Sequence, residues 1–152
     1  MILELARSSD WKAINALAMQ VHALHVGWRP DIYAMPQMLF TQERVEADIQ
    51  SNALYVVRRN GTVIGYVRLG MRETEYPGLV KRKILLVEEL CVSEDLRGQG
   101  IGTEMMEDVQ TLAKKWGCTD LQLGVQPENE AALALYRKCG FTIRNLQMQR
   151  KV

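Results

Sequence analysis

The chain has 152 residues, 47% hydrophobic and 24% charged, proportions that suit a single soluble domain spanning residues 1–152 with one core. Nineteen basic residues against eighteen acidic ones leave a net charge of +1, which gives no basis for expecting a nucleic-acid surface or a polybasic membrane anchor. No stretch approaches the ~20 apolar residues of a membrane span, and the first seven residues lack the basic-then-apolar layout of a signal peptide.

Residues 2–7 read as a short first strand. From Asp10, a good N-cap, the residues Trp11, Ile14, Leu17, Ala18, Val21 and Leu24 keep helical spacing to about His25, with Gly27 and Pro30 as the stop. Residues 27–40 read as irregular, and Thr41 can cap a second helix that runs to about Gln50, with Val45 and Ile49 inward. His22 and His25 stand three apart with no third ligand of matching logic, so no metal site is expected.

Residues 53–59 and 62–72 are β-rich runs around Asn60-Gly61, the favoured two-residue hairpin turn. Residues 84–92 form a further strand whose apolar residues have both parities, which predicts cover on both faces. A helix over 101–116 follows, with Ile101, Met105, Val109, Leu112 and Trp116 in step and Gly117 as its stop. Then come a strand over 119–125, a helix over 129–138 stopped by Gly140, and alternation over 141–150 that predicts one or two last strands. The order β-α-α-β-β-β-α-β-α-β predicts a mixed α/β sheet with helices on both faces. Cys91, Cys118 and Cys139 show neither a disulfide framework nor zinc spacing, and read as small buried hydrophobes in a reducing cytoplasm.

Chemistry concentrates in Arg97-Gly98-Gln99-Gly100-Ile101-Gly102, between a strand and a long helix. Three glycines in five residues let a ligand approach main-chain N–H groups closely. The first helical turn adds donors without intrahelical partners and the positive end of the dipole. Together they make a seat for phosphate or pyrophosphate. The P-loop pattern is absent, because no Gly-Lys-Ser/Thr follows. The spacing G-x-G-x-G also departs from the dinucleotide fingerprint G-x-G-x-x-G.

Arg97-x-x-Gly100-x-Gly102 resembles the Q/R-x-x-G-x-G/A signature of the GNAT acetyltransferase superfamily. Residues 129–141, with Asn129, Ala132, Tyr136, Gly140 and Phe141, resemble that family's N-x-x-A-x-x-x-Y-x-x-x-G-F segment. The resemblance covers nearly the whole chain and implies a GNAT-type fold, its mixed sheet splayed after the fourth strand. It implies acetyl-CoA as cosubstrate, with no metal, and direct transfer of acetyl to a primary amine without an acyl-enzyme. On this reading the backbone around Leu90, Cys91 and Val92 pairs with the pantetheine arm. The amides of Arg97, Gly98, Gln99, Gly100, Ile101 and Gly102, with Thr103 beside them, hold the pyrophosphate. Small acetyltransferases of this type often pair, which extends the expectation to a homodimer.

An amine attacks only when neutral, so the site needs a base, and a buried, desolvated glutamate suits that task. Glu88 and Glu89 lie near the end of the central strand. Adjacent strand residues point to opposite faces, so only one faces the cleft unless a bulge intervenes. Relatives of this kind carry an acid four positions before the valine matched by Val92, which selects Glu88, with Glu89 as the alternative. By resemblance Tyr136 protonates or hydrogen-bonds the departing thiolate, and Asn129 caps its helix and bonds the pantetheine arm. Trp28 and Tyr33, with His22, His25 and Asp31, are expected at the acceptor pocket. The acceptor is expected to be a small-molecule amine, a peptide amine being the alternative. A non-catalytic acyl-CoA-binding domain is the reading from another class.

Overall fold

The hairpin at Asn60-Gly61 sits in the middle of the sheet in the computed structural model, which describes residues 1–152. Both turn residues take positive φ, 51° and 79°, as a two-residue turn matched to the strand twist requires. The turn joins β2 (Leu54–Arg59) to β3 (Thr62–Thr74). On one side β2 is flanked by β1 (Leu3–Leu5), and on the other β3 is flanked by β4 (Arg82–Val92). These neighbours are antiparallel, whereas β5 (Asp120–Leu123) joins the far edge of β4 in parallel. The parallel pair needs a crossover, and α3 (Ile101–Lys115) supplies it.

Helices cover both faces, as the mixed parity of β4 predicts. On one face Ile101, Met105, Val109 and Leu112 of α3 pack against Val67, Leu69, Leu85 and Val87. On the other, α1 (Trp11–Trp28) and α2 (Gln42–Gln50) bring Ile14, Leu17 and Val45 against Val56, Tyr66 and Cys91. Thr41 caps α2 as expected, its Oγ1 accepting from the Arg44 amide at 3.1 Å. The chain's last helix, α4 (Glu130–Lys138), is capped by Asn129 Oδ1, which accepts from the Ala132 amide at 3.1 Å.

Several boundaries differ from the sequence reading: β1 is confined to Leu3–Leu5, β3 runs on to Thr74, β5 stops at Leu123, and two others shift for local reasons. α1 runs through Gly27 and ends only at Arg29, whose φ of −135° and ψ of 67° leave the helical region. Arg29 precedes Pro30, and the proline ring disfavours the helical conformation of the residue before it. β4 begins at Arg82, because Thr74↔Arg82 already pairs with β3.

The larger correction concerns the last strands expected over 141–150. Those residues form no strand, and Ile143, Leu146 and Met148 are exposed. Alternation tells which face a residue would take, but a strand exists only where another edge accepts its ladder. None does here, so the sheet has five strands and the element order ends at α4.

Two irregularities prepare the site. The β4–β5 ladder runs from Ile84↔Asp120 to Val87↔Leu123 and stops, while β4 continues to Val92 against β3 alone. The sheet is therefore split beyond Val87, after its fourth strand. The β3–β4 register also slips, with Leu69 opposite Val87 and Arg68 opposite Glu89, which leaves Glu88 as an unmatched bulge residue.

Candidate functional site

The Gly-rich loop has the conformation its composition asks for. Gly98 and Gly100 take φ of 76° and 88°, where a side chain would be strained. Both are exposed, and Gly100 is the N-cap of α3. The amides of Gly98, Gln99 and Gly100 donate to no protein group, and those of Ile101 and Gly102 belong to the unpaired first helical turn. The Thr103 amide is engaged on Gly100 O at 3.0 Å. Gly102 has a packing role as well, since a β-carbon there would lie 3.0 Å from Leu135 Cδ2 on α4. These free donors at the start of a helix fit an anionic group such as a pyrophosphate.

Beside the loop lies the open edge of β4. The Ser93 amide bonds Ile64 O on β3 at 2.8 Å, so by strand alternation Cys91 also presents its N–H and C=O toward β3. Leu90 and Val92 present theirs toward the gap, and Arg97 Nε donates to Val92 O at 3.0 Å. Of the three residues expected to meet a pantetheine arm, the backbone of Leu90 and Val92 is therefore placed for it and that of Cys91 is not. Cys91 is buried, its Sγ donates to Leu17 O at 3.3 Å, and burial pushes its thiol up to about 12. It is an inert core thiol.

The bulge brings both glutamates to one side. Glu88 and Glu89 line the same cleft, although simple alternation would have hidden one of them. Neither is the buried, desolvated acid that the sequence suggests, for their side chains are 35% and 32% exposed and each meets an arginine. Glu89 is held at both oxygens, by Arg44 Nη2 at 3.0 Å and by the Tyr66 hydroxyl at 2.8 Å. Tyr66 is almost fully buried, and that burial, with the Glu89 charge, pushes its phenol far up, so it is a permanent donor. Glu88 meets Arg68 through Oε2 only, and Oε1 has no hydrogen-bond partner. Arg68 is fixed from behind by Asp48, at 2.9 and 3.1 Å.

Tyr136 lines the cleft from α4 and rests edge-on against Phe141, ring centroids 5.9 Å apart. Burial pushes its phenol up, with a smaller push from Cys139. No protein group bonds its hydroxyl. Asn129 also lines the cleft, but its Oδ1 is spent on capping, which leaves its amide nitrogen free.

At the opposite wall Tyr33 stands against His22 and His25, at centroid distances of 5.8 and 5.2 Å. Its hydroxyl accepts from Gln126 Nε2 at 2.8 Å, which ties the segment after α1 to the loop after β5. His22 Nε2 meets Ala34 O at 2.8 Å. Asp31 lines the cleft bound to Arg29 at 2.9 and 2.7 Å, and those bonds hold its carboxyl well below the usual range. Trp28 packs edge-on against His25 and is not part of the cleft wall.

Arg44, Tyr66, Arg68 and Asp48 were not singled out in the sequence. Their partners lie between 20 and 45 positions away, so no local pattern marks them.

A family model described as Acetyltransferase (GNAT) family matches residues 20–141. A mutant of the BH1408 protein from Bacillus halodurans superposes with a TM-score of 0.94 at 26% identity, covering 100% of this chain and 99% of that one. The aminoglycoside N-acetyltransferase AAC(6')-Iy, solved in complex with CoA, shares the fold at a TM-score of 0.72 and 16% identity over 99% of this chain and 98% of that one. A thialysine N-epsilon-acetyltransferase of Bos taurus is 36% identical over 78 residues, 51% of this chain and 44% of that protein. The chain spans less than half the length of the curated relatives it matches first.

Proposed function

Because the chain belongs to the acetyltransferase (GNAT) family, we propose that it moves an acetyl group from acetyl-CoA to a small-molecule primary amine by direct attack. The observation that carries this reading is the succession of three features along β4 and the loop that follows it. These are the free amides of Gly98–Gly102, the unpaired edge of β4 at Leu90 and Val92, and the free oxygen of Glu88. Acetyl-CoA would supply the activated acetyl thioester and leave as the free thiol.

The loop amides and the dipole of α3 hold the pyrophosphate, and Leu90 and Val92 bond the pantetheine amides as an added strand would. Glu88 is the base, because Glu89 has both oxygens committed to Arg44 and Tyr66. Its Oε1 takes the ammonium proton, directly or through a water, so that the nitrogen lone pair forms the C–N bond as the C–S bond breaks. Tyr136 carries a protonated phenol across the working pH range and hands a proton or a hydrogen bond to the departing sulfur. Tyr33, His22 and His25 form the wall that the acceptor meets.

The test is thiol release from acetyl-CoA across an amine library, beside thermal protection by coenzyme A. Wild type should release thiol with at least one amine. Glu88→Gln should keep the thermal protection while flattening the alkaline rise of rate. No protection by coenzyme A at millimolar concentration would overturn the assignment of the loop, and an unchanged pH profile would move the base away from Glu88.

A further inference from the structure

Every carboxylate that lines the cleft is already answered by an arginine. Asp31 has Arg29, Glu88 has Arg68, Glu89 has Arg44, and Asp120 has Arg82 at 3.4 Å. Arg72, Lys114, Arg137, Arg144 and Lys151 line the same cleft with no carboxylate partner. A second ammonium on the acceptor would therefore find no free acid to receive it, whereas an anion would find cations to spare.

Among the arginines of the acceptor half, Arg44 differs from its neighbours. Arg29 closes both prongs on Asp31, and Arg68 closes both on Asp48 and adds Glu88. Arg44 spends one donor on Leu39 O at 2.6 Å and one on a single oxygen of Glu89. A guanidinium has five N–H donors, so three remain without a protein acceptor; Arg29 keeps as many, but its two used donors are closed as a fork on both oxygens of one carboxylate, whereas those of Arg44 go to separate groups. The group is also immobilised. Its Cζ lies 3.9 Å from the centroid of the Phe40 ring, which is fully buried, and its backbone amide is held by the Thr41 cap. The side chain is 37% exposed, lines the cleft and pairs with Glu89, the chain neighbour of Glu88. A planar, stacked, half-satisfied fork is pre-organised for a carboxylate and loses little entropy on meeting one.

Building on the acetyltransferase reading, we propose that Arg44 selects the acceptor by binding its carboxylate, so that the preferred substrate is an amino-acid-like amine rather than a polycation. Arg44 holds the acceptor's anionic end while Glu88 takes the proton from its amine. Tyr66 supports the arrangement, because it shares the Glu89 charge and keeps that carboxylate from following the acceptor.

The experiment uses the full chain and matched pairs of acceptors, each an amino acid with a side-chain amine and its decarboxylated diamine (lysine with cadaverine, ornithine with putrescine). The quantity read is the ratio of kcat/KM within a pair. Wild type should favour the carboxylate-bearing member at least about tenfold, as expected of a charge-assisted hydrogen bond. Arg44→Gln should bring the ratio close to one, mainly through KM of the amino acid. Arg44→Lys should keep part of it, since it retains the charge and loses the fork. Freeing Glu89 would by itself favour the diamine, so the comparison is repeated in a Glu89→Gln background, where the preference should persist with Arg44 in place and be lost in Glu89→Gln/Arg44→Gln. Equal or better use of the diamine by wild type, or an unchanged ratio in Arg44→Gln, would overturn this proposal alone. Failure of every amine, with coenzyme A still bound, would overturn the catalytic reading beneath it.

Discussion

Glu88 Oε1 and Gly70 compete for the same space across the β3–β4 ladder, since a β-carbon built on Gly70 would stand 2.5 Å from that oxygen. The glutamate reaches its place because the bulge frees it from the register and because β3 offers no side chain beneath it.

Gly70→Ala should therefore displace the base without harming the fold, because the atom it meets is the far end of a flexible side chain. We expect kcat to fall roughly tenfold, the scale of a mispositioned general base, with thermal protection by coenzyme A unchanged. A kcat equal to wild type would show that the Oε1 position above Gly70 is not the working one.

Gly100→Val tests the other end of the gap. With φ at 88°, a β-branched residue would pay about 1–2 kcal/mol in backbone strain and crowd the loop amides. Protection by coenzyme A should disappear while far-UV circular dichroism stays native. Retained protection would take the loop out of the binding site.

Tyr136→Phe separates chemistry from binding. Burial raises this phenol above its ordinary value of about 10, so it stays protonated at pH 7–9. Turnover should drop about 10- to 100-fold, with cofactor affinity within a few-fold of wild type and the alkaline limb of the profile unmoved. An alkaline limb below pH 9 that vanishes in Tyr136→Phe would contradict a phenol raised by burial.

His25 links stability to pH. Burial, and then the neighbouring His22, lower its pKa below the usual 6.5. The unfolded chain thus binds a proton that the folded chain resists, and stability rises with pH wherever that difference operates. The contribution is fully present above about pH 6.5 and is lost as pH falls below it. A Tm series from pH 7.5 to 5 should slope downward toward acid, and His25→Gln should shrink the slope. An identical slope in the variant would place the acid sensitivity elsewhere.

The features that the sequence made legible are those with local causes. Glycine spacing announced the loop, Asn60-Gly61 the hairpin, and Thr41 and Asn129 their helices, because each effect acts within a few residues. The position of Glu88 depends on a register slip against β3, so strand alternation alone expected only one of the two glutamates in the cleft. The arginine partners of the acids come from segments far apart in the chain, and they replaced the desolvated glutamate that a base seemed to require. Residues 141–150 misled in the opposite way, since their alternation is real but no strand edge receives them.

The join between β4 and β5 carries a dynamic consequence. β3 is held by antiparallel ladders, on both sides over Gly65–Arg68 and on one side elsewhere, whereas β5 hangs on four parallel register pairs and has a bare outer edge. Local openings begin where few backbone bonds must break, so the amides of Leu121 and Leu123 should exchange with deuterated solvent ahead of those in β3. A molecule lying in the split would rivet the two strands together. Occupancy of the gap would then be written in slowed exchange along a strand that contributes no reacting group.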